Sequence, residues 1–231
     1  MPICIEAKRL GIRKIIIPKE NCAESSVVSG IEIIGIQTIR QAVQYLNKQI
    51  EVQPEITVIS NLLKKDRTEE LDFGEVKAQR ITSILPDMTY EEALEITKIY
   101  SVAGYLSKDR PVVASRPFRA PHHTITPVSL IGGGTSPKPG EISLAHYGVL
   151  FLDELPQFNK NMLELLREPL EDGNITINRM NGSLTYPCKF MLVASMNPCP
   201  CGYYGSPEKE CTCSEKSILN YMGKISGPLL D

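Results

Sequence analysis

The chain has 231 residues, 42% of them hydrophobic and 23% charged, with a formal net charge of −2, the profile of one or two soluble globular domains. No global basic field announces nucleic acid, so any DNA contact needs a local patch. No apolar run approaches a membrane span and the N-terminus carries no signal-peptide pattern, which makes the cytoplasm the expected compartment.

Residues 1–50 read as helix, strand, strand, helix. Ile5 to Leu10 looks like a helix end stopped by Gly11. Lys14 to Pro18 predicts a short strand closed by proline, and Glu32 to Ile36 predicts a second. From Thr38 to Leu46, Ile39, Ala42, Val43 and Leu46 recur at helical spacing. This half of an α/β unit begins abruptly, which suggests a natural domain that starts upstream of Met1. Ala7 to Asn21 resembles the helix–strand segment of Lon-protease-type domains, which share the ribosomal S5 domain 2-like fold. In that family the catalytic lysine lies just ahead of the helix. Here Met1, Pro2 and Ile3 occupy that region and no serine nucleophile segment is present, so peptidase activity is not expected.

Glu51 to Leu71 is polar and reads as a linker, with a short strand expected at Ile56 to Ile59. Thr89 predicts the N-cap of a helix to Tyr100, with Glu91 and Glu92 in its first turn and Ala93, Leu94, Ile96 and Ile99 on its apolar face. Ser115 to Thr124, with two prolines and two arginines, is a loop. Its adjacent His122 and His123 point in different directions and have no third ligand near, which favours a hydrogen-bonding role over metal. The glycines from Gly132 to Gly134 belong to a turn-rich segment, not a phosphate cradle, because no Lys-Ser/Thr pair follows them.

Tyr147 to Glu154 reads Tyr-Gly-Val-Leu-Phe-Leu-Asp-Glu. The apolar run Val149 to Leu152 predicts a strand buried on both faces, ending on Asp153 and Glu154. At the C-terminal edge of a parallel strand such a pair suits a nucleoside triphosphatase, one carboxylate holding Mg²⁺ and the other orienting water. Taken alone, the pattern fits a buried strand ending in two solvated acids equally well.

Asn159 predicts the N-cap of a helix to about Glu171, strained in its last turn by Pro169 and ended by Gly173. Ile175 to Arg179 and Ser183 to Tyr186 flank Met180-Asn181-Gly182, a hairpin signal. Phe190 to Met196 predicts a second buried strand, ending on Asn197. A helix and a hairpin join it to the Asp153 strand, so the two are candidate parallel neighbours with their polar ends at one edge. Of the seven cysteines, Cys4, Cys22 and Cys188 are scattered and expected to pack as small apolar residues. Cys199-x-Cys201 and Cys211-x-Cys213 form two close pairs, and four such thiolates can satisfy tetrahedral Zn²⁺. A reduced metal-free cluster and a redox or iron–sulfur role remain as alternatives.

Arg116-Pro-Phe-Arg-Ala-Pro-His-His-Thr124, Ile131-Gly-Gly-Gly134, Pro139 through Pro156, Met196-Asn-Pro-Cys-Pro-Cys-Gly202 and Ser226 to Asp231 closely resemble the Mg-chelatase-like AAA+ ATPases of the YifB/ComM group. The resemblance covers most of residues 72–231. It implies an α/β chain: an incomplete P-loop NTPase (AAA+) parallel-sheet core over 72–231, a linker over 51–71, and part of an S5 domain 2-like domain over 1–50. It implies ATP and Mg²⁺ as cofactors, with Asp153 binding Mg²⁺ and Glu154 catalytic in the Walker B pair. Asn197 matches the sensor-1 position, which helps hold the attacking water. The Ile175 to Tyr186 hairpin matches one that faces the pore of hexameric motors. A homo- or hetero-hexameric ring and DNA are the implied partners, since the family includes competence proteins resembling ring helicases that drive branch migration. The alternatives are a magnesium chelatase ATPase subunit, whose relatives drive Mg²⁺ insertion into porphyrin, and a non-catalytic ring or regulatory subunit.

The sequence also departs from that pattern. The family carries a strand, a Walker A loop and a helix between a Lys-Gly-Gln motif, here Lys77-Ala-Gln79, and Ser83-Ile-Leu-Pro86. Here only Arg80, Ile81 and Thr82 separate them, and Gly-x-x-x-x-Gly-Lys-Ser/Thr occurs nowhere. Lys224 stands where the family usually has arginine, and Asp231 precedes the family's C-terminal lid. The expectations are an isolated chain without ATPase activity and an Asn197 strand left as an apolar edge, with weak stability or aggregation.

Overall fold

The computed structural model describes residues 1–55, 78, 80–107, 110–134, 137–179 and 182–225. Residues 56–71 of the linker expected over 51–71, with the short strand expected at Ile56 to Ile59, the Met180-Asn181 turn and the last six residues lie outside them. Two compact units emerge, Met1–Asp72 with Pro86–Arg116, and Phe73–Leu85 with Pro117–Asp231.

In the first unit α1 (Pro2–Arg9) starts on proline, whose missing N–H is no loss there, and the chain turns at Gly11 with φ +78°. β1 (Lys14–Pro18) pairs in parallel with β2 (Glu32–Ile36), and Lys14 Nζ lies 2.8 Å from the Glu32 carboxylate opposite it. A 3-10 turn (Lys19–Asn21) and α2 (Cys22–Ser25) make the crossover. Thr38 caps α3 (Ile39–Leu46) by accepting from the Gln41 N–H. α4 (Tyr90–Ala103) opens on a reciprocal capping box between Thr89 and Glu92 and ends at left-handed Gly104.

By its contacts α4 clusters with the first unit. Its Tyr90 and Leu94 pack on Met1, Cys4, Cys22, Val27 and Ile33, and the Tyr90 hydroxyl donates to the Val27 carbonyl at 2.9 Å.

The second unit includes a 3-10 turn (Arg80–Ile84). Its elements are β3 (Phe118–Arg119), α5 (Pro127–Ile131), β4 (Gly132–Gly133), β5 (Lys138–Pro139), α6 (Glu141–Leu144) and β6 (Val149–Leu152), then α7 (Lys160–Glu164), α8 (Arg167–Asp172), β7 (Asn174–Arg179), β8 (Gly182–Pro187), β9 (Met191–Ala194) and α9 (Glu215–Met222). β3, β6 and β9 form one parallel sheet in that order, and β7 pairs antiparallel with β8 as the expected hairpin. β6 is central: Val149, Leu150 and Leu152 are buried. Leu150 and Leu152 share a core with Leu130, Ile142, Phe158, Met162, Leu163 and Leu166. Its entry is tight, because a Cβ on Gly148 would sit 2.0 Å from the Pro117 carbonyl oxygen.

Two expectations need correction. The single helix from Asn159 is two, α7 and α8, broken at Leu165 and Leu166. The ring of Pro169 conflicts with the carbonyl four residues earlier, which is Leu165, so the break falls ahead of the proline rather than in the last turn. The other is β9, which is half-exposed rather than buried, with Met191 45% accessible. Among the described residues only β6 pairs with it, so its outer edge is open.

Arg119 and Glu141 tie β3 to α6 through two parallel contacts, Nε–Oε2 at 2.5 Å and Nη2–Oε1 at 2.7 Å. A lysine cannot reproduce that fork, so Arg119→Lys is expected to cost about 1 kcal/mol in urea denaturation, the modest size set by partial solvent access. An unchanged midpoint would refute it. Burial pushes the Cys22 thiol up to about 11 and the Cys188 thiol up to about 12. Both stay protonated at pH 8, so neither is expected to take up iodoacetamide in the folded chain, and both should once it is denatured. Peptide mass mapping checks this, and labelling of Cys188 in the native chain would contradict it.

Candidate functional site

The candidate site lies at the C-terminal edge of the parallel sheet. Register brings Phe151 opposite Val193 and Leu152 opposite Ala194. The ladder continues past both strands: Ser195 N–H donates to the Leu152 carbonyl at 3.0 Å, and Leu155 N–H to the Ser195 carbonyl at 2.9 Å. Asp153 and Glu154 therefore leave β6 beside the segment that carries Ser195 and Asn197 out of β9. All three predicted polar residues are exposed there. The adjacency expected from the sequence is present.

Asp153 Oδ1 is held from two sides, by the Glu154 N–H at 3.0 Å and by a short hydrogen bond from the Ser195 hydroxyl. Ser195 Oγ in turn accepts weakly from the Glu154 N–H at 3.4 Å. Glu154 adopts a left-handed backbone, φ 53° and ψ 50°, which redirects its side chain away from the line of the strand.

Two neighbours escaped sequence reasoning. Ser195 carried no motif of its own in an apolar run, and only the β6–β9 register reveals its contact with Asp153. His123 Nδ1 lies 4.0 Å from Glu154 Oε2, with its ring edge-on to Phe158. β3 accounts for this: it pairs beside β6, so a residue four positions beyond Arg119 reaches the far end of β6. His122 has the local role expected of it, with Nδ1 2.9 Å from Thr124 Oγ1.

Past Asn197 the four clustered cysteines converge, their sulfur atoms all within 4.8 Å of one another. Cys199 is buried and the other three are partly exposed. The backbone amides of Tyr203 and Thr212, directed at the Cys201 thiol, hold it down to about 5.

Residues 75–231 match the family described as magnesium chelatase, subunit ChlI. The chain belongs to this family. Its relatives include uncharacterized protein Rv2897c of Mycobacterium tuberculosis, 36% identical over 260 residues that take in all of this chain and 51% of the relative. Competence protein ComM of Haemophilus influenzae is 39% identical over 253 residues, 95% of this chain and 49% of that protein. Uncharacterized protein YifB of Escherichia coli is 48% identical over 154 residues, 67% of this chain and 30% of the relative. This magnesium chelatase family member thus spans about half the length of the mycobacterial and Haemophilus proteins. The mycobacterial alignment runs over 260 residues against a chain of 231, so at least 29 of its positions have no counterpart here. No helix among the described residues is long and apolar enough to cross a membrane.

Proposed function

We propose that the chain is an internally shortened AAA+ motor subunit of the magnesium chelatase-like group, in which Asp153 and Glu154 are the Mg²⁺-binding and water-activating carboxylates. The observation that carries this reading is the parallel β6–β9 pair, which delivers Asp153, Glu154 and Asn197 to one sheet edge. Asp153, exposed and oriented by Ser195, is a hard oxygen donor that suits Mg²⁺. Glu154 lies one residue further on, with His123 beside its carboxylate to orient it. Asn197 supplies a neutral amide that can position water. Bound Mg-ATP would supply the phosphoanhydride and the charge neutralisation at its phosphates. The phosphate-cradling half of such a site has no residues here, since the Gly-x-x-x-x-Gly-Lys-Ser/Thr motif is absent from the sequence.

In this reading the whole protein is a hexameric ring acting on DNA, in line with its 39% identity to a competence protein. The β7–β8 hairpin, with Gly182 to Thr185 exposed, is the element offered to the pore. Residues 1–50 are part of an S5 domain 2-like domain, with the parallel β1–β2 pair in its sheet. The missing cradle favours a second reading, a non-catalytic member of such a ring. Calorimetric titration of the purified chain with Mg-ATP, beside a phosphate-release assay, tests the shortened-motor reading: neither tight binding nor turnover is expected, and either would refute it. Co-purification in a hexamer with a complete paralogue would favour the non-catalytic ring member.

A further inference from the structure

Between β9 and α9 the chain runs twenty residues without a secondary-structure element. Of the apolar residues from Ser195 to Ser214, only Cys199 is buried, while Tyr203 and Tyr204 are exposed. Such a segment cannot hold its shape by packing. It nevertheless brings four thiols from two Cys-x-Cys pairs to one point. Cys199 and Cys201 sulfurs are 3.3 Å apart, Cys199 and Cys211 3.7 Å, and Cys201 and Cys211 3.6 Å. A single ion with four thiolates at roughly 2.3 Å in tetrahedral array separates its sulfurs by about 3.8 Å, close to these spacings. An iron–sulfur cluster needs its ligands farther apart, because several metal and sulfide atoms lie between them. Disulfides would pair the sulfurs two by two, whereas Cys199, Cys201 and Cys211 approach one another mutually.

We propose that Cys199, Cys201, Cys211 and Cys213 are a tetrathiolate site for one zinc ion, which closes the β9–α9 loop and fixes the exit of the strand that carries Asn197. Cys199 stands two residues past Asn197, and Cys213 directly precedes Ser214, whose side chain caps α9. The ion therefore joins the end of β9 to the start of α9 across a loop whose turns are made by Gly202 and Gly205 at φ 84° and 78°. Soft thiolate ligands and a closed four-donor shell suit zinc in a structural role. Binding displaces the thiol protons into solvent, and no oxidant is required. The metal site stands on its own geometry, and only the importance of fixing Asn197 rests on the nucleotide reading above.

The test uses the purified full chain. About one zinc per chain is expected by elemental analysis, and replacement by cobalt should give the thiolate charge-transfer spectrum of a tetrahedral four-sulfur site. Cys201→Ser and Cys211→Ser should lose the metal, whereas Cys188→Ser should keep it. The cobalt spectrum of the unsubstituted chain decides the matter if the serine variants fail to fold. A chain that carries no metal after expression with zinc and takes up no cobalt overturns the site, as does a cobalt spectrum with fewer than four sulfur ligands. Hydrogen exchange at Ser195 to Asn197 should accelerate at least about tenfold when zinc is removed. Unchanged exchange there would remove the coupling to Asn197. None of these readouts depends on nucleotide, so failure of the motor reading leaves them intact.

Discussion

On the shortened-motor reading, inserting a segment of at least 29 residues, the number of unmatched positions in the mycobacterial alignment, between Gln79 and Ser83 is expected to confer hydrolysis of Mg-ATP. That length accommodates a strand, a Gly-x-x-x-x-Gly-Lys-Ser/Thr loop and a helix start, the unit that cradles β- and γ-phosphates. Among the described residues β9 is paired on one side only, and its other side is where a further parallel strand can pair. A strand there would bring the phosphate loop to the edge where Asp153, Glu154 and Asn197 already stand. In the restored chain Glu154→Gln should lower kcat by roughly 10²–10⁴-fold with ATP still bound, as removal of a general base does. Asp153→Asn should instead weaken the dependence on Mg²⁺. Phosphate release measured against Mg²⁺ concentration separates the two. Hydrolysis undiminished in Glu154→Gln would take the catalytic role away from that residue.

Gly148→Ala is expected to destabilise the second unit by about 3 kcal/mol, the upper end of the usual overpacking range. The added Cβ would lie 2.0 Å from the Pro117 carbonyl oxygen and 2.8 Å from two more backbone atoms of Pro117, none of which can rotate aside. The same point carries two sheet hydrogen bonds, Val149 N–H to the Pro117 carbonyl at 2.8 Å and Met191 N–H to the Gly148 carbonyl at 2.9 Å. Relief of the clash would pull β3 away from β6 and strain the approach of β9. Urea denaturation monitored at the second unit reads the loss. A midpoint within error of the unsubstituted chain would show that the strands have slack which the geometry denies.

Local chemistry made much of this legible. Thr89 and Asn159 read as caps and cap their helices, and the alternation around Asn181-Gly182 predicted the β7–β8 pairing. The apolar run ending in Asp153 and Glu154 read as a buried strand and is one, because its residue types leave few other places for it. What escaped depends on contacts distant in sequence. The 4.0 Å approach of His123 to Glu154 spans 31 residues and exists only because β3 lies beside β6. Ser195 looks like one more residue in an apolar strand until register places it on Asp153. α4 has a well-marked amphipathic pattern, but a pattern names no partner, and its Tyr90 and Leu94 pack on the core of the N-terminal residues. β9 shows the reverse case: its composition is that of an interior strand, yet the missing Walker A strand already pointed to an apolar edge, and among the described residues only β6 pairs with it.

Glu154 sits where the chain needs a left-handed residue, at φ 53°. Glycine takes that conformation without steric conflict, while a residue with a Cβ gives up roughly 1 kcal/mol or more. On the proposed reading, the turn after β6 is a trade between foldability and chemistry, in which this chain keeps a carboxylate at the expense of a more stable bend. A selection for thermostability alone, blind to activity, would be drawn to this position and would erase the acid first.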